Sequence, residues 1–360
     1  MERPPEVYFP SDYREARHTF IAACEANGLG VTSRLLPDQT GADGKPLFLD
    51  TTTIGDRDAK TALLLISGTH GVEGYFGSGV QHGLLREGLA KRAPKGTKIV
   101  LLHALNPFGF SWDRRVNEDN ADINRNFVDF KKPPPNREYD HLVDFLSLSD
   151  LSPETLKAAN AKLRAYAKEH GDFKLQEAMS AGQYKHTDGI YYGGAKQSWS
   201  HKMLQDVLRE ELKGITRLTV IDFHTGLGEH GAAEMITEHL PGDAAYKRAK
   251  AMWANVQSSE AGESVSAPLQ GTLDKAFAHW MRGNELTFAA LEVGTKPTRD
   301  VFLALRRDNW LHLNAKPNDP VWPKVKREMR DAFYPDTPEW KRTVWDHAVS
   351  AVNGALRAIA

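Results

Sequence analysis

Four short stretches of the chain are continuously apolar and end in polar residues: TALLLISGTH at 61–70, KIVLLHALNP at 98–107, RLTVIDFHTG at 217–226 and LTFAALEVGT at 286–295. Because the apolar residues run on without alternating, each stretch predicts a strand buried on both faces. Between them the apolar period lengthens to that of a helix. YFGSGVQHGLLREGLAKR, from 75, sets Phe76, Val80, Leu84 and Leu85 on one side. SPETLKAANAKLRAYAKEHG has Ser152 in place to cap, Pro153 in the first helical position and Gly171 just past the end. SWSHKMLQDVLREELKG and the C-terminal TPEWKRTVWDHAVSAVNGALRAIA read likewise, the latter with a stripe of Trp345, Val349, Val352 and Leu356. Strands alternating with helices predict an α/β fold: a mostly parallel, twisted mixed sheet with helices on both faces.

KKPPPNREYD at 131–140 breaks this order, since three consecutive prolines fit neither a helix interior nor a central strand. We read it as an exposed loop that opens a largely helical insertion at about 127–214, within a single domain spanning 1–360.

Composition narrows the function. With 26% charged and 41% hydrophobic residues the chain has the make-up of a soluble globular protein. A net charge of −1 supplies no basic field for neutralising phosphates, which argues against nucleic acid as a partner. The one cysteine, Cys24, excludes an intramolecular disulfide and a Cys-based metal site, so any metal here must be held by histidines and carboxylates. The N-terminal MERPPEVYFPSDYREARHTF lacks the apolar core of a secretory signal and no stretch approaches a membrane span, from which a cytoplasmic location without a membrane partner is expected. Self-association into a homo-oligomer stays open. No G-x-S-x-G elbow, phosphate-binding loop or G-x-G-x-x-G fingerprint is present.

Ligand sites in open α/β sheets form at the carboxyl ends of the strands, where loops converge. After the first predicted strand stand His70 and Glu73, in the glycine-rich ISGTHGVEG. After the second come Arg114 and Arg115, then ADINRNF with Asp122, Asn124 and Arg125. The third ends in Asp222 and His224, and the fourth in Glu292. An H-x-x-E spacing alone is weak, because a chain with 14 histidines yields about one such match by chance. Taken singly, His70 and Glu73 suit a solvated turn and His224 a core histidine paired with Asp222. Joint placement at one sheet edge favours a His, Glu, His set, the composition of a catalytic zinc site with a position left for water.

These motifs resemble the zinc carboxypeptidase superfamily, which includes the carboxypeptidase A group and the succinylglutamate desuccinylase and aspartoacylase group. The resemblance covers residues 61–295 and implies one zinc ion per chain, held by His70, Glu73 and His224. DINRNF is similar to the family's D-x-N-R-N-[FW] segment, which implies Asn124 and Arg125 as a clamp for a substrate carboxylate and Asp122 as the carboxylate orienting a zinc histidine. It further implies Glu292 as the catalytic base and Arg115 as the oxyanion donor, with Arg114 a substrate contact that is close enough in sequence to take the oxyanion place instead. Tyr192, in YYGG at 191–194, is a candidate substrate contact, and Tyr191 shares that reading. GTHGVEG looks more like the acylamino-acid deacylases, and His224 is followed by TGLG where carboxypeptidase A has Ser-Tyr. The overall pattern is most similar to a bacterial carboxypeptidase-like branch of unknown substrate. The implied activity is zinc-dependent cleavage of an amide in a peptide or N-acyl amino acid with a free carboxylate. The alternatives are a deacylase of aspartoacylase type and a homologue that binds metal or ligand without catalysis.

Overall fold

The protein is described from a computed structural model that covers residues 4–360. Its strands are β1 (Thr32–Thr40), β2 (Pro46–Gly55), β3 (Thr61–Ile66), β4 (Thr97–His103), β5 (Arg217–Gly226), β6 (Ala233–Thr237), β7 (Val256–Ser258) and β8 (Glu285–Gly294). They form one sheet in the order β1, β2, β4, β3, β5, β8, β6, β7. The four stretches read as strands are its middle, and β4, β3, β5 and β8 run parallel. Two buried faces explain their unbroken apolar runs. Leu63, Leu65, Ile221 and Phe223 enter one core, while Leu64, Ile66, Val220 and Phe288 enter the other.

Antiparallel pairs flank this parallel centre: β1 on β2, β2 on β4 and β6 on β8. The periodicity did not predict the flanking strands. TSRLLPDQT in β1 holds a proline and buries only Leu36, as an edge strand with one face in water permits.

The helix Gly74–Arg86 is enclosed far beyond the one-sided stripe expected of it, with only His82 and Arg86 reaching toward solvent. Gly79 and Gly83 allow this, since the rings of Phe9 and Trp345 lie where a Cβ would stand. Helix Pro153–His170 starts as its sequence predicts, with Ser152 Oγ accepting from Thr155 N at 3.3 Å. Together with Arg137–Leu146 and Asp172–Ser180 it closes over a small core of Tyr139, Leu142, Leu146, Leu163, Ala178 and Ile190. Helix Trp199–Glu211 lies within the segment read as an insertion, yet Leu204 and Val207 pack on the sheet itself. Prolines 133–135 lie in a solvent-facing loop.

The chain leaves β3 for β4 on one side and later enters β5 on the other. Loops therefore part at the carboxyl ends of β3 and β5, opening a crevice where side chains from distant segments can meet.

Candidate metal centre

His70 and Glu73 bracket a single 3₁₀ turn, Gly71–Glu73, just beyond β3. Two glycines make this turn possible. Gly68 has φ +69°, and Gly71 sits so close to the Gly109 backbone that a Cβ would lie 2.0 Å from its carbonyl carbon. The turn is held from outside: Gly71 N donates to Arg115 O at 3.1 Å and Val72 N to Arg114 O at 2.8 Å. Those bonds fix the arginine segment against the turn.

His224 comes from β5, on the face that carries Val220 and Asp222, and it pairs in register with Glu292 of β8. In a parallel ladder such partners stand side by side on one face of the sheet, and a slip of one residue would turn both away. His224 Nδ1 lies 3.0 Å from Glu73 Oε2 and 3.2 Å from His70 Nδ1, and His70 Nδ1 lies 2.9 Å from Glu73 Oε1. One donor atom from each of the three residues falls within 4.8 Å of the others, and all three side chains are buried.

The outer edges of both rings are tied to carboxylates. His70 Nε2 meets Asp122 Oδ1 at 3.2 Å and His224 Nε2 meets Asp222 Oδ2 at 2.7 Å. Asp222 is oriented by the Thr69 hydroxyl, which donates at 2.8 Å. Carboxylates accept, so the proton of each neutral imidazole belongs on Nε2, and each Nδ1 presents a bare lone pair. Two such lone pairs and a carboxylate converging on one point form a group that could hold a metal ion. Their 2.9–3.2 Å separations approach the roughly 3.4 Å edges implied by zinc–ligand bonds of about 2.1 Å. The residues fit zinc.

Charged groups crowd the centre: Glu73 and Asp122 are both paired with Arg115, while Asp222, Glu292 and Arg125 line the same cavity as the two histidines. Burial opposes ionisation of Glu73, but His70 and His224 overcome it and hold the carboxyl far below the usual range. Asp122 is likewise held low, against burial, by Arg115 and then His70. For His224, burial disfavours the charged ring while Asp222 and Glu73 together raise its pKa. The Glu292 carboxyl is pushed up to about 7, first by burial and then by Glu73.

Adjacent arginines part company. Arg115 donates through Nη1 to Glu73 Oε1 at 3.1 Å and through Nε to Asp122 Oδ2 at 3.0 Å, and it lines the cavity above the histidines. Its Nη2 donates to none of the described residues. Arg114, expected as a substrate contact or the oxyanion donor, turns the other way to Asp308 at 3.3 Å and Asn120 at 2.8 Å, outside that cavity. The two lie at a bend rather than in a regular element, which is why sequence spacing left them undivided. Arg115→Ala is expected to lower kcat about 10²–10³-fold, as for other oxyanion donors. Arg114→Ala should cost stability of about 1–3 kcal/mol through loss of its charged hydrogen bonds to Asp308 and Asn120, with the Asp308 carboxylate still paired to the Lys326 ammonium. Thermal melts and kinetics on both variants check this, and a larger kcat loss in the Arg114 variant would reverse the assignment.

Asp122 caps the 3₁₀ turn Ile123–Arg125, accepting from Asn124 N at 2.9 Å, so one carboxylate orients His70, Arg115 and this turn. Asn124 and Arg125 both line the cavity. The forked grip expected of Arg125 is reduced, because Nε already donates to Ser180 O at 2.9 Å and Nη1 to Asn124 O at 2.7 Å. Nη2 and the Asn124 amide nitrogen carry no hydrogen bond among the described residues, which leaves single donors for a ligand. Tyr192 does not reach the cavity; its carbonyl instead accepts from Asp122 N at 2.7 Å. The cavity residue is Tyr191, whose ring lies under Arg115 and Arg125 at 5.4 and 5.7 Å from their guanidinium carbons. Tyr191 lies in a turn with a left-handed φ of 56°, outside any regular strand alternation.

Sequence reading left Asp222 outside the proposed site, although Asp-x-His on a strand puts both side chains on one face. It also missed Glu238 and Asp274, which line the far end of the cavity. No spacing signal linked those two to the motifs.

Among solved structures, similar chains include a Burkholderia mallei protein provisionally named a carboxypeptidase, at 15% identity and TM-score 0.49, covering 98% of this chain and 70% of that one. A metallo-carboxypeptidase from Burkholderia cenocepacia is similar at 13% identity and TM-score 0.45, over 98% and 71%. An aspartoacylase family protein from Mesorhizobium loti is similar at 16% identity and TM-score 0.39, over 81% and 68%. No curated protein matches the sequence. A family model described as "Protein of unknown function (DUF2817)" matches residues 9–347.

Proposed function

Since this chain belongs to the DUF2817 family, whose description assigns no activity, we propose from the geometry of the site that it is a zinc-dependent amide hydrolase. Its substrate is a peptide, cleaved at the C-terminal residue, or an N-acyl amino acid; in either case the substrate has a free carboxylate. The observation that carries this reading is the convergence of His70 Nδ1, His224 Nδ1 and Glu73 on one point, with both outer nitrogens bound by Asp122 and Asp222. A pure binding site would have no use for the carboxyl of Glu292 beside it.

Zinc held there would lower the pKa of water to about 7 and polarise the scissile carbonyl. Glu292 takes the proton of the attacking water and passes it to the leaving amine. Its Oε1 is fixed by Leu227 N at 2.9 Å, while Oε2 accepts no hydrogen bond among the described residues and is free for that proton. Arg115 Nη2 is available to the developing oxyanion. Arg125 Nη2 and the Asn124 amide supply donors to the free carboxylate.

Metal removal tests the reading. Dialysis against a chelator is expected to abolish hydrolysis of N-acyl amino acids and dipeptides, and one equivalent of zinc should restore it. Full activity in metal-free protein would refute the proposal. Release of C-terminal residues from dipeptides, compared with release of acyl groups from N-acyl amino acids, separates peptidase from deacylase.

A further inference from the structure

The cavity that begins at His70, His224 and Glu292 ends at two acids, Glu238 and Asp274. Glu238 follows β6, and Asp274 lies in the first turn of helix Leu273–Trp280. Ile236, Phe288 and Ala290 form part of the wall between the acids and the centre. Asp274 is 5% exposed, and its Oδ2 accepts from Glu238 N at 2.9 Å. Its Oδ1 accepts nothing among the described residues. Glu238 Oε1 accepts from the Thr272 hydroxyl at 2.6 Å, but Oε2 is buried without a hydrogen bond.

One cation stands near. The Lys275 ammonium is 3.4 Å from Glu238 Oε2, but it is shared with Glu260 at 3.1 Å and with the Leu269 carbonyl, and it does not line the cavity. Of the two acids that line the cavity, Glu238 shares this ammonium with the exposed Glu260 and Asp274 has no ion pair among the described residues, which leaves the cavity end short of positive charge. Buried acids without full partners are costly unless a ligand supplies them.

We propose that Glu238 and Asp274 form a specificity pocket for a cationic side chain, so that the residue carrying the substrate's free carboxylate is lysine- or arginine-like. One contact supports this. Asn124, one of the carboxylate donors, accepts through Oδ1 from Leu273 N at 2.8 Å, next to Asp274. The Asn124 side chain is thereby tied to the residue before Asp274, and a lysine- or arginine-like residue carries its cation on a long flexible stem away from the carboxylate that Asn124 would hold. Burial, and for Glu238 also the charge of Asp274, pushes each carboxyl up to about 7. An ammonium or guanidinium entering would stabilise both as carboxylates.

This inference rests on the hydrolase reading for its kinetic test and on binding alone for its independent one. With zinc-loaded enzyme at pH 8, kcat/KM for hippuryl-lysine, hippuryl-arginine and the matching N-acetyl amino acids is expected to exceed that for the leucine and glutamate analogues by at least about tenfold. Asp274→Asn and Glu238→Gln should each collapse the lysine-to-leucine ratio, mainly through KM. Turnover with leucine or glutamate preferred, or a ratio unmoved in both variants, overturns the pocket and leaves the hydrolase standing. Calorimetric binding of free L-lysine and L-arginine but not L-leucine, without turnover of any substrate, supports the pocket and removes the hydrolase. Neither turnover nor binding of the cationic amino acids overturns both.

Discussion

Glu292→Gln is expected to lower kcat by about 10²–10⁴-fold, the range for loss of a positioned general base, with zinc content unchanged. The amide keeps the volume and can still accept from Leu227 N, which Glu292 Oε1 now does at 2.9 Å, but it cannot take a proton. The wild-type pH profile gives a second readout. A base works only when deprotonated, and burial followed by the charge of Glu73 pushes the Glu292 carboxyl up to about 7. Activity should therefore fall as the pH drops through that region. A cation on His224 and Glu73 favours the carboxylate and moves this acid limb below 7. The residual activity of the glutamine variant should lack the limb. Near-normal turnover in the variant would remove Glu292 from the mechanism.

His224→Ala is expected to reduce bound zinc from one equivalent to a trace and to take turnover to background. The substitution removes one of three ligands and leaves Asp222, 1% exposed, with Thr69 as its remaining partner named here. Elemental analysis of the purified variant reads the first effect. Thermal melts read a further one: zinc at 1,000 times its dissociation constant should stabilise the wild type by about 4 kcal/mol, and the variant should show no such response. A variant that keeps both metal and turnover would show that the three side chains do not share an ion. Because His224 sits in the middle of the sheet, its fold should be checked by circular dichroism before either result is read. An unfolded variant sends the test to His70→Ala, whose side chain lies in the turn beyond β3.

The chain's layers were legible because burial on both faces leaves an unmistakable mark. TALLLI has no polar residue after its first position, none of its three counterparts has an exposed one, and each becomes a central parallel strand. Caps behaved as well, since Ser152 and Pro153 act within a few residues of backbone. The edge strands left no such mark. Thr32–Thr40 keeps most of its side chains in solvent, and its pairing with β2 is decided by a neighbour rather than by its own period.

For the candidate site, sequence order placed His70, Glu73, His224 and Glu292 at strand ends, because strand direction fixes which end of the sheet a following residue reaches. Direction of side chains was a different matter. Arg114 or Arg115, and Tyr191 or Tyr192, differ by one position, and which of each pair faces the cavity is set by contacts with distant segments. Partnership between Asp274 and Glu238, 36 residues apart, arises where a helix start meets the end of β6. The sequence by itself determined which chemistry was available: histidines and carboxylates without cysteine, gathered after apolar strands. Tertiary structure alone decided which of those groups face one another, because contacts between distant segments depend on register and chain direction across the whole sheet, which no local pattern encodes.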